Sequence, residues 1–121
     1  MKQEHREVLF KDLCTRLAYG VRYKVDGYDN HHYILCKISI DTVDNDFPIE
    51  KVKPYLFPLS SMSEEEKEEY CQLQQRVIYN SKGVVNEDVK KYINWCYKKH
   101  LDINNLIPMK LAIDATGLNI Y

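Results

Sequence analysis

Several chemistries are missing from this chain of 121 residues before any element is placed on it. No two of its four cysteines (Cys14, Cys36, Cys71 and Cys96) form a CxxC pair, so the spacing contains neither a structural zinc motif nor a dithiol redox motif. Glycine is scarce, at four residues, and neither GxGxxG nor GxxxxGK[ST] occurs. The Gly-rich phosphate cradle is therefore absent and no cofactor is expected. No run approaches the roughly 18 apolar residues of a membrane-spanning helix. The charged start Met1-Lys2-Gln3-Glu4-His5-Arg6-Glu7 leads into no apolar segment of the secretory kind. An excess of one charge is also lacking: 17 basic and 18 acidic residues leave a formal net charge of −1. A duplex-DNA binder normally carries a basic surplus to displace the counterions of the phosphate backbone. These absences point to a cytoplasmic protein with no membrane association and with thiols kept reduced.

What is present is the composition of a folded domain, 45% hydrophobic and 29% charged. The length suits one domain over residues 1–121 with a core of its own. Ten tyrosines stand against three phenylalanines and one tryptophan. Tyrosine buries a large ring but needs a partner for its hydroxyl. A chain rich in it has either half-wet surfaces suited to contact or a core with polar edges.

The pattern predicts an α+β fold. Leu9, Leu13 and Leu17, flanked by Phe10 and Cys14, predict an N-terminal helix over 3–17, closed near Gly20. Val21, Tyr23 and Val25 alternate with Arg22 and Lys24 in a half-buried strand. Residues 26–30 form a turn, and a second strand runs over 32–40 with Ile34, Cys36, Ile38 and Ile40 on one face. Residues 41–46 are turn-like around Val43, with a short strand as the alternative, and Phe47-Pro48-Ile49 suits an edge strand. Pro54 and Pro58 forbid a long helix over 50–59, so a single helical turn followed by an extended strap is expected, pinned by Tyr55, Leu56, Phe57 and Leu59. Ser63 and Glu66 make a capping box for a helix to about Asn80, with Tyr70, Leu73 and Val77 as its stripe. Ser81-Lys82-Gly83 is a break. Asn86 caps another helix through His100, with Val89, Ile93, Cys96 and Leu101 facing the core. Asp102 caps a short turn that Pro108 ends, and Leu111-Ala112-Ile113 packs against the sheet. The expected architecture is an N-terminal helix, a small antiparallel sheet of three to four strands, two C-terminal helices and a short helical turn.

Catalytic and metal chemistry find little support. Cys96 and His100 stand four apart on a helix, and His31, His32 and Cys36 add soft donors, but three or four convergent ligands are needed for zinc. Cys14 and Cys71 lie on or beside helix stripes and read as core, not as nucleophiles. Asp41, Asp44 and Asp46 lack the glycine and the bidentate glutamate of a calcium loop. A binding face is better supported. Arg22, Lys24, Lys37 and Lys53 stand among Tyr23, Tyr28, Tyr33, Tyr55 and Phe57, which suits a protein partner and also allows nucleic acid or a nucleotide stacked on the rings.

The run Lys11-Asp12-Leu13-Cys14, Arg16-Leu17 and Tyr19-Gly20-Val21, with Val52-Lys53-Pro54-Tyr55-Leu56 and Pro58-Leu59-Ser60-Ser61-Met62-Ser63-Glu64-Glu65, resembles a set of short uncharacterised proteins of gut anaerobes, their phages and mobile elements. Asn94-Trp95-Cys96, Lys99-His100-Leu101-Asp102, Asn105-Leu106-Ile107 and Leu111-Ala112 extend the resemblance to nearly the full length. Phe57 departs from it, standing where the others often carry arginine. The resemblance brings no catalytic residue. It implies a small accessory protein, encoded by a phage or mobile element, that acts on a host or defence protein.

Overall fold

The computed structural model describes residues 3–27, 33–35, 49–79 and 86–121. Most of the expected second strand, the turn over 41–46, the break over 81–83, and the candidate residues Tyr28 and Lys37 lie outside them. So do His31, His32 and Cys36. The fold is α+β. Helix α1 (Gln3–Thr15) is followed by β1 (Arg22–Val25), β2 (Tyr33–Ile34), β3 (Val52–Leu56), α2 (Glu64–Tyr79), α3 (Asn86–Lys98) and β4 (Ile113–Asp114). The strands form one sheet in the order β2-β1-β3-β4. β1 pairs antiparallel with both β2 and β3, while β4 joins β3 in parallel, so the sheet is mixed and not wholly antiparallel.

Alternation in β1 places Tyr23 and Val25 inward and Arg22 and Lys24 outward, as its sequence predicts. Both residues of β2 are exposed, and cover begins at Leu35 just after it. Leu35 is buried and Ile34 is exposed, because the register sets Ile34 opposite outward-facing Arg22. Of the expected edge strand Phe47-Pro48-Ile49 only Ile49 is among the described residues, and it falls in a 3-10 turn (Ile49–Lys51); the extended strap after it is β3.

Pro54 therefore sits in an interior strand, where a missing N–H normally costs a ladder bond. Here none is lost. The Asp26 N–H donates to the Lys51 carbonyl, which makes that pair hydrogen-bonded and the Tyr23/Pro54 pair, three steps on, non-hydrogen-bonded. The Pro54 nitrogen points instead toward β4, whose pairing starts only at Tyr55.

The core lies between α1 and the inner sheet face. Leu9 and Leu13 meet Val21, Tyr23, Val25, Leu35, Ile49, Val52 and Leu56, with Leu106, Leu111 and Ala112 closing it. The buried face of α1 is Leu9, Asp12 and Leu13, and Arg16 just past its end continues the i, i+3, i+4, i+7 spacing. That face is rotated from the expected one. Leu17 and Phe10 are only partly buried at its margin, and Cys14 is exposed.

Helices α2 and α3 pack together through polar aromatic contacts. The Tyr70 and Tyr92 hydroxyls lie 3.2 Å apart, and the Trp95 indole N–H donates to Glu69 at 2.8 Å. Side-chain burial is shallow along the described part of α2, and Cys71 is exposed, not core as its place beside the stripe suggests. The capping box forms as expected, Glu66 N–H to Ser63 Oγ at 3.2 Å and Ser63 N–H to Glu66 Oε1 at 3.1 Å. Among the described residues, no helix is long and apolar enough to cross a membrane.

Candidate functional site

The distinctive chemistry gathers where β3 ends. Phe57 extends β3 and bridges in parallel to Leu101: the Phe57 N–H donates to the His100 carbonyl and the Asp102 N–H to the Phe57 carbonyl. This ties the C-terminal end of α3 to the sheet. A cleft of about 340 Å³ opens beside the bridge, lined by Phe57, Ser61, Met62, Glu66, Lys99, Leu101, Thr116 and Gly117. Its volume falls within the range of small-ligand and side-chain pockets. Phe57, Met62 and Leu101 supply apolar surface. At the rim, Lys99 Nζ stands 3.5 Å from Glu66 and over the Trp95 ring. Glu66 is held below the usual carboxylate range, chiefly by the Ser63 backbone N–H, so the rim carries one charge of each sign.

Behind the bridge lies a buried ionic cluster. Arg16 Nε donates to Asp12 Oδ2 at 2.7 Å, and Arg16 Nη2 donates to Asp12 Oδ1 at 3.3 Å and to the Leu101 carbonyl at 2.6 Å. Asn104 Nδ2 gives Asp12 a third donor, and the guanidinium carbon lies 4.6 Å from the Tyr97 ring centre. Arg16 and Asp12 are essentially inaccessible to solvent. The cluster joins α1, α3 and the 101–104 segment, and its position explains the two charged residues on the buried stripe of α1 and its continuation.

His100 lies between Lys99 and Leu101 in the chain and feels the Arg16 charge. It occupies the left-handed position (φ 57°) just past α3, where its own N–H reaches the Tyr97 carbonyl and the Leu101 N–H reaches the Cys96 carbonyl. That pair of bonds is the Schellman closure, a site that favours glycine. A histidine is held there with its ring stacked on Tyr121, centroids 3.8 Å apart. Burial, then the Arg16 charge, lowers its pKa to about 4. Cys96 is fully buried and burial pushes its thiol up to about 11, which opposes the thiolate a nucleophile needs. The helix ends at Lys98, so Cys96 and His100 do not share one helical face. No group of three His, Cys, Asp or Glu residues able to hold a metal occurs among the described residues.

The residues expected to bind are divided by the fold. Arg22, Lys24, Lys53, Tyr55 and Phe57 fall on the outer register of β1 and β3, with Lys24 directly opposite Lys53. Lys53 is paired with Asp26 at 3.1 Å. Tyr55 is mostly covered, and Tyr23 turns into the core against Tyr33, which stays exposed. Of these residues only Phe57 lines the cleft. Met62, Glu66, Lys99, Leu101, Arg16 and Tyr121 were not among the residues the sequence singled out for binding. A signal existed for Arg16: with Asp12 it continues the spacing of Leu9 and Leu13, which puts opposite charges on a buried stripe. Compared with known proteins, the chain matches no family model, no curated protein and no solved structure.

Proposed function

We propose that this chain is a small non-catalytic binding protein that engages a protein partner at the Phe57 cleft. The observation that carries the reading is the make-up of that cleft: an apolar lining from Phe57, Met62 and Leu101 beside a rim holding one acid and one base, Glu66 and Lys99. An apolar anchor with a flanking polar rim is how a partner's side chain is gripped. In line with the resemblance to proteins of phages and mobile elements, the partner is a host or defence protein. The nucleic-acid reading has Arg22, Lys24 and Lys53 on one face in its favour. It is weakened by the Lys53–Asp26 pair and by the inward turn of Tyr23, which removes a ring from the stacking surface.

The test is affinity capture from host lysate with four baits: wild type, Phe57→Ala, Lys99→Glu, and Lys90→Glu on the exposed side of α3. A single protein retained by wild type and Lys90→Glu and lost from both cleft variants is the expected result. Retention of nucleic acid instead, or capture indifferent to the cleft substitutions, overturns the assignment.

A further inference from the structure

The β1–β3 ladder has an insertion at its end. Arg22 and Tyr55 stand one step beyond the Tyr23/Pro54 pair, at a position that the Asp26–Lys51 bond marks as hydrogen-bonded. In an unbroken ladder the Arg22 N–H would donate to the Tyr55 carbonyl. Instead it donates to the Tyr121 hydroxyl at 2.8 Å, and that hydroxyl donates to the Tyr55 carbonyl at 2.7 Å. One phenol thus bridges two strands that would otherwise bond each other. Its ring lies flat on His100 at 3.8 Å and meets Phe57 at 5.8 Å. Burial pushes the hydroxyl up to about 12, which keeps it a neutral donor.

Apart from the Tyr121 hydroxyl and ring contacts, little of the segment that delivers Tyr121 is covered. Leu118 and Tyr121 are about half exposed, at 49% and 44%, and Asn119 takes a left-handed conformation at φ 54°. Between Ala115, which is buried, and Tyr121 no side chain is fully covered. Segments with so little buried surface open at low cost. Thr116 and Gly117 of the same segment wall the Phe57 cleft.

We propose that the slot between Arg22 and Tyr55 is a tyrosyl-binding site, occupied here by Tyr121 as an internal ligand, and that a partner protein docks an exposed tyrosine in it by displacing the C-terminal segment. The slot specifies its occupant. It offers one backbone donor and one backbone acceptor spaced for a single hydroxyl, and an imidazole plate for the ring. Phenylalanine fills the plate but offers neither the acceptor nor the donor that the hydroxyl supplies, at a cost of about tenfold or more in affinity. The proposal rests on the partner-binding reading but is tested without any partner.

The experiment titrates Tyr121→Ala with p-cresol, N-acetyl-tyrosinamide and toluene, following the Arg22 amide by NMR together with the melting temperature. Saturable shifts at Arg22 are expected with p-cresol and N-acetyl-tyrosinamide in the millimolar range, the scale for so few ligand atoms. Toluene binds about tenfold more weakly, and wild type, its slot filled, binds p-cresol about tenfold more weakly than the variant. If Tyr121→Ala is unfolded alone, millimolar p-cresol restores its folded spectrum. A folded variant without saturable p-cresol binding, equal binding of toluene, or an unfolded variant that p-cresol does not rescue each overturns the proposal. If the cresol result holds while lysate capture fails, the slot stands and the partner reading falls.

Discussion

Replacing Asp12 with alanine isolates the energetics of the buried cluster. Asp12 accepts from Arg16 Nε, Arg16 Nη2 and Asn104 Nδ2, and both charged side chains are sealed from solvent. In Asp12→Ala the guanidinium keeps the Leu101 carbonyl and the Tyr97 ring but loses its only buried counter-charge among the described contacts. Removing one partner of a buried ion pair costs about 3–5 kcal/mol, most of it the penalty of the charge left behind. For a domain of this size that lowers the melting temperature by about 12–20 °C, at roughly 4 °C per kcal/mol. Urea unfolding of wild type, Asp12→Ala, Arg16→Met and the double variant completes a cycle. The double variant, with no stranded charge, is expected to be less destabilised than the sum of the singles by about 2 kcal/mol. A loss below about 1 kcal/mol in Asp12→Ala, or additive singles, would show that the pair is solvated and refute the argument.

His100 has a folded pKa of about 4 against its ordinary 6.5, so below pH 6.5 the unfolded chain binds the proton more readily. Wild-type stability therefore falls as pH drops from about 6.5 to about 4, while His100→Gly, which also suits the left-handed position, shows a flatter profile in urea unfolding across that window. Ser63→Ala removes half of the capping box, at a cost of about 1 kcal/mol. Because α2 has little buried surface to compensate, the loss should be concentrated in faster amide exchange along its first turns. In a Cys36→Ser background, a thiol reagent should modify Cys14 and Cys71 quickly in the native protein and Cys96 only on unfolding. Fast modification of Cys96 would contradict its burial.

The elements dictated by neighbouring residues were legible in the sequence. The capping box at Ser63 and Glu66, the start of α3 at Asn86, the alternation of Val21, Tyr23 and Val25, and the helical turn leading into an extended Pro54 strap each depend on residues within a turn or two. Periodicity and capping are short-range physics, so one chain suffices to read them. The α+β class follows from their order.

The site was decided by tertiary structure. Arg16 reaches a carbonyl 85 residues away, and Tyr121 reaches one 66 residues back. Nothing local marks Tyr121 as a wedge between strands, or distinguishes Lys99 at the cleft from Lys98 beside it. The direction of β4, the outward turn of Ile34 and the exposure of Cys14 were settled by register and by the rotation of α1 on the sheet. Those are choices between faces, made by which surfaces bury the most apolar area together. A single sequence contains the candidates for that choice, and only the assembled core selects among them.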